Sequence, residues 1–239
     1  MHAIALPPVA DCRLWQVDLD DAPAPQMLGS ISPGEQARAQ RFVFERDRRR
    51  FLAAHAALRE VLAHERGIDA GALRFCEGLH GKPSLQDMPD LHFNLSHSQA
   101  VGLIAVADAA EVGIDVEVLR PMPDALALAE AHFSENERRA LQAMTPGAER
   151  DMAFFRGWTR KEACLKAIGA GLSLDTRSFE VGIGAGTREV VLHTAAGARC
   201  RLRLVSVPLA IDAVAALACA LPLHDSGRAA AHPTEETCS

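Results

Sequence analysis

Two carboxylates, Asp115 and Glu117, stand two positions apart in the apolar run from Val112 to Val118. If this run is a strand, side chains two apart point to the same face, and the two carboxylates lie side by side. Adjacent carboxylates repel each other, and burial strengthens the repulsion, which a divalent cation would remove. All-oxygen ligation favours Mg²⁺, with Mn²⁺ as a substitute. A strand with one solvated acidic face explains the same spacing.

A second charged pair, Glu162 and Lys166, lies in the segment from Trp158 to Lys166. The spacing of four places both side chains on one face of a helix. A surface salt bridge worth about 0.3–0.5 kcal/mol would explain such a pair. In the functional interpretation, Glu162 is a third metal ligand and a base, and Lys166 binds phosphate near the metal.

The run from His92 to Ser98 places hydroxyl, amide and imidazole groups between two predicted strands. Ser96, His97 and Ser98 offer hydrogen-bond donors to an anion. A Ser/His nucleophile pair is an alternative, although no G-x-S-x-G elbow is present. A turn stabilised by its own polar side chains is another.

The tripeptide Gly81-Lys82-Pro83 combines three properties that suit a phosphate site. Glycine lets the backbone approach a ligand closely, and proline fixes the direction in which the chain leaves. Lysine supplies a point charge suited to phosphate. An ordinary turn explains the tripeptide equally well, and the glycine-rich G-x-x-x-x-G-K-[ST] motif is absent.

The elements that position these residues are predicted from periodicity and capping signals. Short helices should follow the capping boxes that begin at Ser32 and Ser134. Long helices are predicted at residues 48–66 and 149–168, each stopped by a glycine. Strands are predicted at residues 13–19, 73–77, 91–95, 101–107, 112–119, 189–193 and 200–207. Residues 211–220 fit a helix by composition or a buried strand by position, and we favour the strand.

The second half of the chain resembles the first. Residues 17–20 (Val-Asp-Leu-Asp) match residues 114–117 (Ile-Asp-Val-Glu), and the two capping boxes follow in the same order. An internal duplication predicts an α+β fold of two similar α/β lobes related by pseudo-two-fold symmetry, with a ligand cleft between them. The N-terminal lobe would be residues 1–110 and the C-terminal lobe, with the metal site, residues 111–223. Residues 224–239 are small and polar and are predicted to form a disordered tail.

Composition narrows the class of protein. The chain has 239 residues and a net charge of −6, which argues against a nucleic-acid partner. Its local positive charge, in the arginines at positions 46, 48, 49 and 50, suits a small anionic ligand or a solvated helix face. The six cysteines lack metal-binding spacing, which is typical of reduced thiols in a cytoplasmic protein. We expect no signal peptide and no membrane span.

Taken in order, Gly-Lys-Pro, Phe-Asn-x-Ser-His-Ser, Gly-x-Asp-x-Glu and Trp-x-x-Lys-Glu-Ala-x-x-Lys-Ala resemble the Sfp-type 4′-phosphopantetheinyl transferases. These motifs span residues 81 to about 172, and the arginine-rich segment of residues 41–59 is similar to the N-terminal helix of that family. The resemblance implies the 4′-phosphopantetheinyl transferase fold and a two-lobed monomer. It also implies transfer of 4′-phosphopantetheine from coenzyme A to a serine of an apo acyl or peptidyl carrier protein, with 3′,5′-ADP as the other product.

The resemblance implies a role for each candidate residue. Mg²⁺ would be held by Asp115, Glu117 and Glu162. Glu162 and Lys166 would be catalytic, the first as a base for the carrier serine and the second as a stabiliser of the phosphate. Coenzyme A would be bound by Arg50, Lys82, Ser96, His97 and Lys166. The arginine run permits several alignments, so Arg48 and Arg49 remain alternatives to Arg50.

Two other functions use the same residues. A metal-dependent hydrolase of nucleotide pyrophosphates would need the carboxylates but no carrier protein. A non-catalytic module that binds coenzyme A or carriers would need Lys82 and His97 but not Glu162. The presence of all three carboxylates together with Lys166 counts against the second.

Overall fold

The computed structural model describes residues 3–78, 80–171, 174–194 and 196–222. The predicted disordered tail, residues 224–239, lies outside the described residues. The strands are β1 (Ile4–Val9), β2 (Cys12–Asp18), β3 (Phe75–Glu77), β4 (Pro83–Leu85), β5 (His92–Ser98), β6 (Val101–Ala107), β7 (Val112–Val118), β8 (Thr187–His193), β9 (Arg199–Val207) and β10 (Ala213–Ala220). The α-helices are α1 (Pro25–Gly29), α2 (Pro33–Ala39), α3 (Glu45–Arg66), α4 (Ala125–His132), α5 (Glu135–Gln142) and α6 (Ala148–Ile168).

Two four-stranded antiparallel sheets form the centre of the molecule. The first sheet has the order β1-β2-β6-β5 and the second the order β7-β10-β9-β8, while β3 and β4 form a separate hairpin. The mixture of helices and antiparallel sheets confirms the predicted α+β class. Among the described residues no helix is both long enough and apolar enough to cross a bilayer.

The sheets and the long helices stack in four layers. Helix α3 packs on one face of the first sheet, through a core that includes Leu58, Leu62 and Phe93. The other face of the first sheet packs against the second sheet, and the aliphatic side chains between them include Leu103 and Ile114. Helix α6 covers the outer face of the second sheet. Alternation along β7 therefore turns Ile114 and Val116 toward the first sheet and the residues between them toward α6.

The capping signals of the sequence are confirmed. The side chains of Ser32 and Ser134 each accept a hydrogen bond from the backbone N–H three residues on. The glutamate side chain at that position accepts one from the backbone N–H of the serine, so both capping boxes are complete. Helices α3 and α6 end at Gly67 and Gly169, which adopt left-handed φ angles of 65° and 63°. The preference for a strand late in the chain is also confirmed, because β10 lies between β7 and β9 and its alanines fill a sheet buried on both faces.

Some predicted boundaries are wrong, among them the start of helix α3, which begins at Glu45 and not at residue 48. The strand predicted at residues 91–95 runs on to Ser98, so Ser96, His97 and Ser98 lie in β5 and not in a turn. The strand predicted at residues 73–77 begins only at Phe75, because the carbonyl of Leu73 is engaged by a side chain of α3 instead of a neighbouring strand. Strands β1 and β4 and helices α1 and α4 had no counterpart among the predicted elements.

The similarity of the two halves includes a buried ion pair that connects separate elements within each half. In the first half, the capping-box glutamate Glu35 pairs with the buried Arg59 of α3 at 2.7 Å. Arg59 also donates to the carbonyls of Ala70 and Leu73 and lies over the ring of Phe75. One cation of the long helix thus ties together the short helix before it and the turn after it.

The second half uses the same arrangement. The capping-box glutamate Glu137 pairs with the buried Lys161 of α6 at 2.8 Å. Lys161 donates to the carbonyls of Thr176 and Phe179 and lies over the ring of Phe179. Since buried charges are stable only when paired and hydrogen-bonded, Lys161 has a structural role although it belongs to the most distinctive sequence motif.

Candidate active site

The candidate site lies where the edge strand β7 of the second sheet runs beside the edge strand β5 of the first. Asp115 and Glu117 both point to the side of β7 that faces α6. Asp115 is buried, whereas Glu117 is half-buried. The two carboxylates predicted to stand side by side therefore do so at the junction of the two sheets.

Asp115 is held through one oxygen and leaves the other without a partner. Its Oδ1 accepts hydrogen bonds from Ser96 Oγ at 2.9 Å and from Lys166 Nζ at 2.6 Å. Its Oδ2 is buried and has no hydrogen-bond partner in the structure. Burial raises the pKa of Asp115, although Lys166 and Ser96 both stabilise the charged form. An orphaned carboxylate oxygen in a buried site is costly unless something else engages it.

Helix α6 presents Glu162 and Lys166 toward β7. The carboxylate that Lys166 contacts is Asp115, and its ammonium also donates to Ser96 Oγ at 3.0 Å. The pair therefore does not form the simple surface salt bridge that its spacing allows. Glu162 is half-buried. Burial raises the pKa of Glu162, and the nearby Asp115 raises it further by repulsion.

The close approach of α6 to β7 depends on Gly113. A Cβ atom placed on this residue would lie 2.2 Å from the carbonyl oxygen of Ala163 and 2.3 Å from the backbone nitrogen of Ala167. These atoms belong to the helix backbone and cannot move aside as a flexible side chain could. The glycine of the Gly-x-Asp-x-Glu motif thus sets the distance at which Lys166 meets Asp115.

Alternate residues of β5 reach across to β7. Asn94 Oδ1 accepts a hydrogen bond from the backbone N–H of Ile114 at 2.8 Å. Ser98 Oγ donates to Glu117 Oε2 at 2.8 Å and accepts from the backbone N–H of Val118 at 3.2 Å. Because the two strands belong to different sheets, these side chains take the place of a main-chain ladder. Neither Asn94 nor this contact of Ser98 was predicted from the sequence, although the period-two spacing from Asn94 to Ser98 places their side chains on one face of a strand.

The predicted coenzyme A residues are not all brought together. Ser96 lies at the centre of the site. His97 is exposed and follows on the opposite face of β5, and the pKa of its imidazole is lowered by partial exclusion of water and by repulsion from Lys166. Arg50 lies at the start of α3, where it forms two hydrogen bonds of 2.7 Å with Asp20.

Lys82 enters the site from the loop between β3 and β4. Its ammonium pairs with Glu111 and donates to the carbonyls of Val112 at 3.1 Å and Ala167 at 2.9 Å. Burial lowers the pKa of Lys82. The preceding residue, Gly81, has a φ of 79°, a conformation that favours glycine. Lys82 therefore joins the start of β7 to the end of α6.

A cavity of about 240 Å³ lies against this cluster. It brings the Gly-Lys-Pro loop together with Glu162 and Lys166, which are far apart in sequence. A neighbouring cavity of about 250 Å³ shares the residues His80, Lys82, Pro83 and Gly169. The full lining of the first is His80, Gly81, Lys82, Pro83, Asn94, Glu162, Leu165, Lys166, Gly169 and Gly171.

The donor set suits a hard divalent cation, although the side chains are not gathered around one point. Within the described ranges, no three His, Cys, Asp or Glu side chains are grouped closely enough to hold a metal ion. Lys166 instead supplies the positive charge beside Asp115. Because the Oδ2 of Asp115 is unpartnered and burial raises the pKa values of Asp115 and Glu162, a nearby cation would stabilise the ionised form of both carboxylates.

Comparison with protein-family models places both halves of the chain. Residues 111–220 match the model described as the 4′-phosphopantetheinyl transferase superfamily. Residues 20–109 match the model described as 4′-phosphopantetheinyl transferase, N-terminal.

Individual relatives give the same result. The chain is 39% identical to the 4′-phosphopantetheinyl transferase HetI of Nostoc sp., over 68% of this chain and 70% of the relative. It is 34% identical to the 4′-phosphopantetheinyl transferase Sfp of Bacillus subtilis, over 65% of this chain and 68% of the relative. The L-aminoadipate-semialdehyde dehydrogenase-phosphopantetheinyl transferase of Mus musculus is 28% identical, over 64% of this chain and 53% of the relative.

Proposed function

The chain belongs to the 4′-phosphopantetheinyl transferase superfamily and transfers 4′-phosphopantetheine to carrier proteins, and we propose that Asp115, Glu117, Glu162 and Lys166 are the groups that carry out this transfer. The observation that carries the assignment is the contact of Lys166 with Asp115 beside a cavity that Glu162 also lines. Coenzyme A would be the donor, a carrier serine the acceptor and 3′,5′-ADP the second product.

Mg²⁺, or Mn²⁺ in its place, would be held by Asp115, Glu117 and Glu162. When bound, the cation would neutralise negative charge on the pyrophosphate of coenzyme A as its bond to the transferred phosphoryl group breaks. The three carboxylates come from two elements, β7 and α6, whose spacing Gly113 fixes. Ser96 and Ser98 hold two of these carboxylates in place through hydrogen bonds, as supporting residues of metal sites commonly do.

Glu162 would accept the proton of the carrier serine, directly or through water. A general base works best when its pKa approaches the working pH, and burial moves the pKa of Glu162 in that direction. Lys166 would stabilise the phosphate that is transferred and the departing 3′,5′-ADP, since an ammonium placed in a partly desolvated site stabilises developing negative charge.

Lys82, Arg50, Ser96 and His97 would bind the phosphates of coenzyme A. The partners of Lys82 and Arg50, Glu111 and Asp20, are about half exposed. Ion pairs that reach solvent contribute little stability, so a phosphate group could exchange with these carboxylates at low cost. Lys82 and Arg50 would each pair with a carboxylate in the free protein and with a phosphate when coenzyme A is bound.

The carrier protein would approach over the cleft. One candidate surface is the segment between Val118 and Glu137, which carries Met122, Leu126 and Leu128. These three side chains are half-buried against the core around Phe133 and Phe154, so only part of each is available to a partner. We further propose that the protein acts as a monomer in the cytoplasm and uses neither nucleic acid nor a membrane as a partner.

The test combines the protein with coenzyme A, Mg²⁺ and an apo carrier protein and measures the carrier by intact mass. We expect the carrier to gain one phosphopantetheine. The Glu162→Gln variant should lose at least about 100-fold in turnover while it retains coenzyme A affinity. Glu60→Gln, an exposed glutamate at the matching position of α3, is the control and should transfer normally.

Other outcomes identify the alternatives. Hydrolysis of coenzyme A without carrier modification would indicate a nucleotide pyrophosphate hydrolase. Binding of coenzyme A with neither reaction would indicate a non-catalytic module. Full activity of Glu162→Gln would remove Glu162 from the role of base while leaving the transferase assignment intact.

A further inference from the structure

Two buried cysteines meet at the junction of the two sheets. Cys12 begins β2 of the first sheet, and Cys219 lies near the end of β10 in the second. Their side chains are 2% and 5% exposed, and the two Sγ atoms are 2.9 Å apart. Residues separated by almost the whole chain therefore place their thiols in direct contact.

The surroundings of the two cysteines argue against a metal site and against a part in catalysis. Their neighbours are aliphatic side chains of the core between the sheets. A metal site needs further ligands, and no cluster of three such side chains exists in the described part of the chain. In the sheet, Cys219 lies opposite Val112, at the end of β7 away from Glu117, so the pair is not part of the catalytic cluster.

The two thiols also differ in acidity. The hydrogen bond between the two sulfurs lowers the pKa of Cys12, whereas the same hydrogen bond, together with burial, raises the pKa of Cys219. By contrast, burial raises the pKa of Cys164 to about 12, although the nearby Lys161 and Arg160 favour its thiolate. Cys12 follows the exposed Asp11, in a turn where Ala10 and Asp11 adopt positive φ angles. Cys12 therefore lies next to the surface and is the thiol of the pair that an external disulfide would reach first.

We propose that Cys12 and Cys219 form a reversible disulfide that links the two sheets covalently. The oxidant is a small disulfide such as oxidised glutathione. The Cys12 thiolate attacks one of its sulfurs and releases one glutathione thiolate, and the deprotonated Cys219 then attacks Cys12 Sγ and releases the second. Two protein thiols are oxidised to one disulfide while one glutathione disulfide is reduced to two thiols.

The disulfide would raise the unfolding temperature of the protein and would leave the catalytic side chains unchanged. It would close a loop of almost the entire chain, which restricts the unfolded ensemble strongly. Because the two sulfurs lie 2.9 Å apart, they need to approach by only about 0.9 Å to form the bond. We expect the oxidised protein to unfold on the order of 5–10 °C higher than the reduced protein.

The experiment treats the folded full-length protein with oxidised glutathione, alkylates free thiols under denaturing conditions and counts the adducts by mass. The chain has six cysteines. We expect two fewer alkylated thiols than in the reduced protein and a peptide pair that joins Cys12 to Cys219. Cys219→Ala should abolish this pair, whereas Cys76→Ser, which replaces an exposed thiol, should leave it unchanged.

Three results would overturn the proposal: six alkylated thiols after oxidation, glutathione adducts without the peptide pair, or the pair without a rise in unfolding temperature. The peptide map of the wild type decides the matter even if a cysteine variant fails to fold. Counting thiols requires neither coenzyme A nor a carrier, so this outcome is independent of the transferase assignment.

Discussion

Lys166 Nζ lies 2.6 Å from Asp115 Oδ1, and this ion pair joins helix α6 to strand β7 in the middle of the candidate site. Its lysine end is partly exposed toward the cavity, while its aspartate end is almost entirely buried. The same cation thus compensates a buried carboxylate and lines the space proposed for the substrate.

Replacement of Lys166 should therefore affect both catalysis and stability. We expect Lys166→Met to lower kcat/KM for carrier modification by about 100-fold or more, because a positive charge aimed at the phosphate is lost. It should also lower the unfolding temperature, since Asp115 would remain buried without a cation. The measurements are intact mass of the carrier over time and thermal unfolding. Activity within threefold of wild type would contradict the proposed role.

Ser96 should act through Asp115. Ser96→Ala removes a buried hydrogen bond from a proposed metal ligand, and loss of such a supporting contact typically weakens metal binding 10- to 100-fold. We expect the Mg²⁺ concentration for half-maximal activity to rise by about tenfold. Ser84→Ala, an exposed serine of β4, is the matched control. An unchanged Mg²⁺ dependence in Ser96→Ala would show that its hydroxyl does not position Asp115.

Gly113 should tolerate no side chain. Gly113→Ala would place a methyl group 2.2 Å from the carbonyl oxygen of Ala163, so α6 must shift or strain must be stored in the backbone. We expect a loss of about 3 kcal/mol in unfolding free energy, measured by urea denaturation, together with a large loss of activity. Gly34 lies in helix α2, where a Cβ would meet only Ser32 Oγ at 4.0 Å, so Gly34→Ala should be neutral or slightly stabilising. Similar effects of both substitutions would refute the close-contact argument.

Glu35 should give the protein a defined pH dependence. Although burial opposes ionisation, hydrogen bonds from His55, Arg59 and Ser32 lower the pKa of Glu35 from 4.5 to about 2. A carboxyl group whose pKa is depressed on folding stabilises the protein above its unfolded pKa, and this contribution is lost as pH falls toward the folded pKa. The advantage of wild type over Glu35→Gln should be about 3 kcal/mol at neutral pH.

Urea denaturation at a series of pH values provides the check. The difference between wild type and Glu35→Gln should begin to decline below pH 4.5 and be nearly absent at about pH 2. A difference that stayed constant across this range would mean that ionisation of Glu35 is not the source of the stabilisation.

Local signals predicted most of the framework. The capping boxes at Ser32 and Ser134 and the glycines that end the long helices depend only on neighbouring residues, so the sequence contains all the information required. The facing carboxylates Asp115 and Glu117 were likewise predictable, because strand alternation is a local property. The alanine-rich β10 was resolved only by its position between two other strands.

Contacts between segments that are distant in sequence could not be predicted from local signals. Polar residues at the end of β5 suggested a turn because their partners, the backbone and carboxylates of β7, belong to the other sheet. The pairing of Lys166 with Asp115 and not with Glu162 likewise depends on the distance between α6 and β7. The three polar contacts of Lys82 come from segments that follow it by many residues in the chain.

The contact between β5 and β7 determines where the chain could be cut into two fragments. The hydrogen bonds that link β5 to β7 come from side chains, and each sheet completes its own main-chain ladder. Asp108 is held by Arg13 and Arg66 of the first half, whereas the carbonyl of Glu111 accepts from Ala220 of the second. A break in the peptide chain between these positions would leave two pieces with intact sheets and matching edges. Such pieces are suited to complementation, in which activity returns only when two separately produced fragments meet.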